Sequence, residues 1–247
     1  NVHDVQFIGD TRLLVKWPTI NEVSGKTIPR HWAMDYDRMP EDIDGEGALF
    51  PLLKKRGDTF SVSYRMTVAE SSPGYSFELP EGVDEWIPES LHEAPPTRGI
   101  LSLYNGGDRR RWYWRCADCN EAFEADFCHL KWDKGIKDPF KASKTTVLVC
   151  PHCEFEHTHD ADLENGQPGK IGLNRAGKWL KDGEVWELDG SVTGEATVST
   201  TASFWLKGVA AAFSTWQGLV NNYLKAKIAL KKTNSDKDLK VTVNVDQ

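Results

Sequence analysis

The sequence contains no long apolar run, and this absence argues against a membrane-spanning protein. No stretch approaches the roughly 20 apolar residues that a transmembrane helix needs. Residues 1–20 also lack the basic start and apolar block of a signal peptide. The 247 residues, 39% hydrophobic and 27% charged, suffice for one large domain or two modest ones with real cores. We therefore expect a cytosolic protein with no membrane partner.

Positive charge is also in short supply. The 30 Lys and Arg residues are outnumbered by 37 Asp and Glu residues, so the net charge is −7. A protein that holds nucleic acid by its overall charge has the opposite balance. Any contact with DNA must therefore come from local basic patches.

A complete phosphate-binding loop is missing. Residues 24–27 read SGKT, like the end of the motif G-x-x-x-x-G-K-[ST], but the first glycine of that motif falls on Ile20. Pro29 also follows too soon for the helix that such a loop requires. We interpret this segment as an ordinary loop.

Cysteine is sparse, but four of the five cysteines form two Cys-x-x-Cys pairs: Cys116, Cys119, Cys150 and Cys153. Two residues between cysteines allow both sulfurs of a tight turn to reach one ion. Two such turns provide the tetrahedral thiolate set that Zn²⁺ prefers. We therefore predict a structural zinc site, in preference to buried free thiols or a redox pair. A saturated four-sulfur site stabilises a small module and performs no chemistry.

The surroundings of the two pairs leave alternatives open. The 30 residues between them predict an insertion that decorates the zinc module. His152, His157 and His159 are expected to be solvated or to support the ligands, although one could replace a cysteine. Cys128 is expected to be a small buried apolar residue.

A basic and aromatic segment precedes the first pair, with arginines at Arg109, Arg110, Arg111 and Arg115. In an extended strand, Trp112 and Trp114 share one face and two of the arginines share the other. One interpretation is a DNA-binding strip, with arginines on phosphates and aromatic rings available for stacking. The alternative is that the tryptophans pack in the core and the arginines are merely exposed.

Residues 1–75 alternate between apolar runs and polar breaks. We predict strands at 5–8, 12–17, 32–36 and 65–69. The apolar spacing within 45–60 predicts a short helix that has Pro51 in its first turn. A strand, a helix and a strand in succession imply a parallel crossover, so this region is expected to be α/β.

Carboxylates follow the predicted strand at 32–36. Asp35 and Asp37 are two residues apart, so in an extended chain they would face the same side. A buried strand that ends in fixed acids is what a Mg²⁺–nucleotide site needs. The alternative is that they are ordinary loop residues.

The C-terminal half is predicted to be β-rich and then helical. Residues 76–106 form a long connection with a short strand or helix near Ile100, and 182–201 form a hairpin or mobile loop. A helix capped by Ser214 or Thr215 buries one face, and a second cap is expected at Ser235.

Eight ordered segments run through the chain: RLLVKW at 12–17, MDYDRMPED at 34–42, VAESSPG at 68–74, GILSLY at 99–104, RWYWRC at 111–116, CPHC at 150–153, ASFWLKG at 202–208 and NVDQ at 244–247. In this order they resemble the large-subunit terminases of tailed phages, of the GpA type. The resemblance implies a motor that packages viral DNA into a preformed shell, with an N-terminal ATPase and a C-terminal nuclease.

The resemblance also implies roles for individual residues. Asp35 and Asp37 fall in the Walker B segment, as metal carboxylate and water-orienting acid, although the usual adjacent Asp-Glu pair is absent. Glu70 is a rival for the second role, because it ends the neighbouring predicted strand. Ser71 and Ser72 fall in the motif that couples nucleotide state to movement.

Further expectations concern the intact protein. The resemblance implies Mg²⁺ and ATP as cofactors. It also implies double-stranded DNA, the terminase small subunit and the portal protein as partners. The motor is expected to be a homo-oligomer in the host cytoplasm, encoded by a phage or prophage.

The predicted fold is a partial P-loop-NTPase-like parallel sheet, then a β-rich zinc-ribbon module and a C-terminal amphipathic helix. The expected domains are the C-terminal part of the ATPase at 1–106, the zinc ribbon at 107–201 and a helical linker at 202–247. The chain starts at Asn1 rather than Met, so we expect a fragment, a processed product or a further upstream region. The resemblance implies that the phosphate loop lies upstream of Asn1 and that the nuclease begins after Gln247. Such a chain alone is expected to hydrolyse no ATP and to cut no DNA.

Two other functions compete with the terminase prediction. The chain could be a free-standing zinc-ribbon protein that binds DNA or acts as an adaptor, or a decayed prophage remnant without activity. Coding sequence upstream with a phosphate loop favours the terminase, whereas a start codon near Asn1 favours the free-standing protein.

Overall fold

The computed structural model describes residues 3–9, 11–77, 79 and 86–243. The chain divides into two compact units. Unit 1 comprises residues 1–76 and 98–100, and unit 2 comprises 77–97 and 101–247. The segment 244–247, which contributes to the terminase resemblance, lies outside the described residues.

Unit 1 is a small α/β structure. Its strands and helices are β1 (Asp4–Gln6), β2 (Arg12–Leu14), α1 (Ile20–Ser24), β3 (Arg30–Ala33), α2 (Leu49–Arg56) and β4 (Met66–Ala69). β3 and β4 pair in parallel, with Arg30 opposite Met66 and Ala33 opposite Ala69. The predicted parallel crossover is therefore confirmed, and Pro51 lies in the first turn of its helix, where a missing N–H does least harm.

The remaining strands of unit 1 correct the sequence prediction. In the part of the chain that the structure describes, β1 and β2 pair only with each other, as an antiparallel hairpin, and do not extend the parallel sheet. The strand predicted at 32–36 ends at Ala33. The core of this unit is small, and its buried apolar residues are Val23, Ala33, Ile43 and Leu49.

Unit 2 contains most of the described elements. Helix α3 (Ile100–Asn105) starts at the division between the units. It is followed by β5 (Arg110–Arg115), β6 (Ala122–Glu124), β7 (Leu130–Lys131), α4 (Pro139–Ser143), β8 (Val147–Val149), β9 (Glu156–His157), α5 (Gly169–Ala176), β10 (Lys178–Leu180), β11 (Glu184–Trp186), β12 (Val192–Gly194), β13 (Phe204–Trp205), α6 (Trp216–Thr233) and α7 (Lys237–Val241).

Strand β5 pairs with three other strands of unit 2. It pairs antiparallel with β6 and β10 and in parallel with β13. A second sheet has the order β7-β8-β9 and is antiparallel throughout. The hairpin predicted within 182–201 is formed by β11 and β12.

Helix α6 packs on these sheets to close the core. Its N-cap is Thr215, whose hydroxyl accepts a hydrogen bond from the Gly218 N–H at 3.0 Å. Trp216 at its start is fully buried, and Leu219 and Val220 bury the same face. The region predicted as helical from 203 begins instead with a short strand, and the cap of α7 is Asp236 rather than Ser235.

The chain is thus a mixed α/β protein built from small sheets. A P-loop-like sheet needs several parallel strands in a row, and within the described residues the parallel pairs are β3–β4 and β5–β13. No helix in the described ranges is both long enough and apolar enough to cross a membrane.

Candidate functional site

Each Cys-x-x-Cys pair lies in the turn of a two-stranded hairpin. The first turn joins β5 to β6, and the second joins β8 to β9. The Asp118 N–H donates to Cys116 Sγ, and the His152 N–H donates to Cys150 Sγ, both at 3.4 Å. The residue after each second cysteine has a left-handed backbone, with φ of 60° at Asn120 and 63° at Glu154. The two turns therefore have the same local geometry.

The four sulfurs converge on one point. Cys116 Sγ lies 3.6 Å from Cys153 Sγ, and Cys119 Sγ lies 3.9 Å from Cys150 Sγ. All four sulfurs lie within 4.8 Å of one another. These separations exceed the roughly 2 Å of a disulfide and match the ~3.8 Å edge of a tetrahedron with Zn–S distances of about 2.3 Å. The cluster can hold a metal ion.

Ionisation of the cysteine thiols depends on how far they are buried. Cys116 and Cys150 are buried, whereas Cys119 and Cys153 are half-buried. Burial raises the pKa of the Cys116 thiol, because a thiolate loses hydration there. A divalent cation supplies the charge that keeps such a thiol ionised at neutral pH.

Residues near the cluster agree only in part with the expectations for them. His157 is fully buried, with rings of Phe123 and Phe155 at 6.1 and 5.0 Å, so it is not solvated. His152 is exposed, and its Nε2 lies 3.1 Å from the Ala122 carbonyl oxygen. Among the described residues, no histidine joins the four-cysteine group. Cys128 is exposed, so the prediction that it is buried was wrong.

The two tryptophans of β5 pack inside unit 2. Trp114 is fully buried, and its ring lies 6.2 Å from the ring of Trp216. Trp112 is half-buried, and the indole N–H groups of both tryptophans donate to Asn174 Oδ1, at 3.2 and 2.9 Å. A single amide oxygen thus satisfies both indoles, and these rings are packing residues.

The arginines of the same segment are engaged within unit 2. Arg111 is only 9% exposed and forms an ion pair with Glu124 at 3.2 Å, so the idea that the arginines are merely exposed is wrong for this residue. Arg109 pairs with Asp182 at 2.8 Å, and Arg110 pairs with Asp108 at 2.7 Å.

Arg115 has backbone partners instead of a carboxylate. It donates to the carbonyl oxygens of Asn120 and Glu187, and its guanidinium lies 4.2 Å from the centre of the Trp186 ring. DNA contact by the four arginines stays a prediction, and every one of their guanidinium groups already has partners in the fold.

In unit 1, the acidic residues lie where the two parallel strands end. Asp35 is exposed and has a left-handed backbone with φ of 54°, and a 3-10 turn at Tyr36–Arg38 follows it. Because of this turn, the Asp37 side chain is buried and the Asp35 side chain is exposed. Asp35 and Asp37 therefore do not share a side, as an extended chain would have required.

Both oxygens of the Asp37 carboxylate accept hydrogen bonds from backbone N–H groups. It accepts from the Gly74 N–H at 2.8 Å and from the Ile100 N–H at 2.6 Å. A Cβ on Gly74 would lie 2.9 Å from the Cβ of Asp37, and Gly99 approaches the same carboxylate with φ of 76°. Close approach of both loops therefore depends on glycine at these positions.

Glu70, Ser71 and Ser72 follow strand β4. The Asp35 N–H donates to Glu70 Oε1 at 3.2 Å, and the Asp37 N–H donates to Ser71 Oγ at 3.2 Å. The Ser71 hydroxyl in turn donates to the Ser72 carbonyl oxygen at 2.9 Å. These bonds bring all five sequence-predicted residues of unit 1 to one edge of the β3–β4 pair.

One charged segment of unit 2 was not identified from the sequence. Residues 131–144 contain five lysines and two aspartates, a local excess of positive charge in an acidic chain. A count of charge in short windows, rather than over the whole chain, would have detected it.

Comparison with known proteins identifies the family. The sequence model of the phage terminase large subunit gpA ATPase domain matches residues 1–179, which include both cysteine pairs. The model of the terminase large subunit gpA endonuclease domain matches residues 201–247, which begins ahead of the nuclease start that we expected after Gln247. No curated protein and no solved structure matches the chain.

The ATPase match covers well over half of the 247 residues, and the endonuclease match follows it in the same chain. The chain therefore belongs to the gpA family of phage terminase large subunits, the proteins that act in viral DNA packaging.

Proposed function

We propose that unit 1 carries the Walker B and coupling segments of a packaging ATPase and that unit 2 contains a zinc-ribbon module. One observation carries the first part: β3 and β4 pair in parallel and their acid-bearing ends meet. In open α/β sheets, ligands bind outside the carboxyl ends of the strands. Asp35 and Glu70 lie at those ends and are exposed.

Within this proposal the acids have distinct tasks. Asp35 would hold Mg²⁺ of the nucleotide, either directly or through a water molecule, and the exposed Glu70 would orient the attacking water. Asp37 would position the loops, because both of its oxygens already accept backbone hydrogen bonds. Glu70 is thus a better choice than Asp37 for the water-orienting acid.

Ser71 suits a coupling role because it connects the two strand ends. Its hydroxyl contacts the backbone of Asp37 on one side and of Ser72 on the other. The Ser71 side chain would therefore transmit a nucleotide-dependent shift of β3 to the segment after β4. Ser72 is exposed and has room to contact a γ-phosphate.

Exposed apolar side chains support a larger sheet around this pair. Trp32 is 68% exposed and Met66 is 55% exposed, although both lie on parallel strands. Parallel sheets are normally covered on both faces, and two strands alone are marginally stable. Further parallel strands would extend the sheet, and their crossover helices, as in a P-loop fold, would cover its faces.

For unit 2, two hairpins with equivalent cysteine turns support a zinc ribbon. The four-thiolate donor set is closed, so Zn²⁺ would be structural and would stabilise the module. In the intact protein the cofactors would be Mg²⁺ and ATP, and the partners would be double-stranded DNA, the small subunit and the portal protein. A homo-oligomer would form the motor.

The nucleotide proposal is tested in the large subunit that contains this chain. Glu70→Gln is expected to lower the kcat of DNA-stimulated ATP hydrolysis by about 10²–10⁴-fold, the usual contribution of a general base. Glu46→Gln, which changes another exposed glutamate of unit 1, is the matched control and should leave kcat unchanged. Full activity of Glu70→Gln would refute the assignment.

A further inference from the structure

Unit 2 has a strong local concentration of positive charge. Residues 131–144 and helix α6 together contain nine lysines and two aspartates, a net charge of +7. The whole chain has a net charge of −7, so all other residues together carry −14. Charge of opposite sign is thus segregated in one chain, and such a patch attracts polyanions.

Packing gathers these lysines around one groove. Helix α4 packs against α6, which brings 131–139 next to the helix. Two adjoining cavities of about 490 and 450 Å³ share Trp132, Lys134 and Tyr223, and together they form the groove. Six lysines line it: Lys131, Lys134, Lys137, Lys207, Lys227 and Lys231.

Except for Lys207, the groove lysines have no acidic partners in the described part of the chain, which leaves five. None of the five lies within ion-pair distance of a carboxylate there. The one carboxylate that lines the groove, Asp126, pairs with Lys207. Asp133 and Asp138 accept backbone hydrogen bonds from Gly135 and Lys141, both at 2.8 Å.

Aromatic rings form the floor between the lysines. The rings of Phe127, Trp132 and Tyr223 lie 5.2 to 6.3 Å from one another. Trp132 and Tyr223 are half-buried, so each presents part of its ring to the groove. Lysines beside partly open aromatic rings are typical of sites that bind single-stranded nucleic acid, in which phosphates contact the lysines and bases stack.

We propose that this groove binds single-stranded DNA. The partly open rings can stack with the bases of a single strand, whereas the bases of a duplex are already stacked on one another. The proposal goes beyond the function proposed above and uses residues of unit 2 alone. It also assigns DNA contact to the five groove lysines that have no acidic partner among the described residues, rather than to the arginines of β5.

The test measures binding of a labelled oligo-dT of about 15 nucleotides to the purified chain by fluorescence anisotropy. The triple variant Lys134→Gln, Lys137→Gln and Lys227→Gln removes three groove charges. The matched control Lys141→Gln, Lys225→Gln and Lys232→Gln removes three exposed lysines of α4 and α6 that do not line the groove. Metal content and melting temperature of each variant identify any folding defect.

Loss of three phosphate contacts should weaken binding at least about tenfold and reduce the slope of log K against log salt by about 2, while the control changes far less. In the unaltered chain, bound oligonucleotide should protect Lys134 and Lys137 from acetylation, a readout that needs no variant. The proposal is overturned by equal losses in both triple variants, by absent protection, or by a duplex that binds as tightly as the single strand.

Discussion

A tryptophan on a strand has opposite environments in the two units. Trp114 on β5 of unit 2 is fully buried, whereas Trp32 on β3 of unit 1 is 68% exposed. Around β5, three partner strands and the start of α6 supply cover. Among the described residues β3 has a single partner strand, and in unit 1 the packed helix α2 lies against that pair. The burial of a strand residue therefore depends on how many layers surround it and not on its type.

The two candidate sites also differ in how much packed structure surrounds them. The cysteine cluster is part of a large core, since Cys116 and Cys150 pack with Trp114 and Trp216. The acidic edge of unit 1 depends instead on hydrogen bonds at an exposed strand end. We infer that the metal centre is a stability element and that the acidic edge is open to a ligand.

The largest effect is expected from loss of a metal ligand. Cys150→Ser replaces a buried thiolate, so bound zinc should fall from about one per chain to well below that, and unit 2 should unfold. Elemental analysis and thermal melting measure both effects. Cys128→Ser is the control, because this cysteine is exposed and outside the cluster. Stoichiometric zinc in the Cys150 variant would contradict the proposed site.

The tryptophan comparison predicts the next largest difference. Trp114→Ala should lower the free energy of unfolding by about 3–5 kcal/mol, because it leaves a cavity in the core. Trp32→Ala should change it by less than about 0.5 kcal/mol, as for most exposed positions. Urea denaturation followed by circular dichroism measures both values. Similar losses in the two variants would mean that β3 is covered in solution.

Within unit 1, substitution of Asp37 should lower the stability, whereas substitution of Asp35 should leave it almost unchanged. Asp37→Ala removes the acceptor of two backbone N–H groups and should cost about 3 kcal/mol. Asp35→Ala should have little effect on stability, since the Asp35 side chain is exposed. Hydrogen exchange of the Gly74 and Ile100 amides reports the difference. If the hydrogen-exchange rates of these two amides are unchanged in Asp37→Ala, Asp37 does not position the two loops.

A smaller effect should appear at low pH in unit 2. Burial raises the pKa of Asp126, but the Lys207 charge and the Cys128 N–H outweigh it and hold the pKa at about 2, below its usual 3.8. A depressed carboxyl pKa contributes stability above about pH 4, and this contribution is lost as the pH falls toward 2. The contribution amounts to about 2 kcal/mol. The difference in unfolding free energy between the unaltered chain and Asp126→Asn should shrink over that range, and a constant difference would contradict the pairing.

Much of the fold could be predicted where local patterns dominate. The parallel β3–α2–β4 unit followed from apolar spacing, and the helix from Thr215 onward followed from its cap and its buried face. The metal cluster followed from cysteine spacing. Such features depend on residues close in sequence, so the pattern carries the information.

Other features could not be read from local patterns. Arg111 was expected to face solvent, but its partner Glu124 comes from the neighbouring strand and its burial from packing around β5. The strands predicted at 5–8 and 12–17 were given no partners from the sequence, and the structure pairs β1 with β2, because strand partners depend on long-range packing. Pairing between distant segments is decided by the whole core and not by the propensity of either segment.

By itself, the sequence determined the two cysteine turns that could hold a metal, because two cysteines separated by two residues close the same turn in many folds. Only the tertiary structure decided which acid is open: a left-handed Asp35 starts a turn that sends Asp37 inward to two loop amides. It also placed the lysines of 131–139 beside those of α6, about 90 residues away. Packing between remote elements creates such neighbours, and no local pattern encodes them.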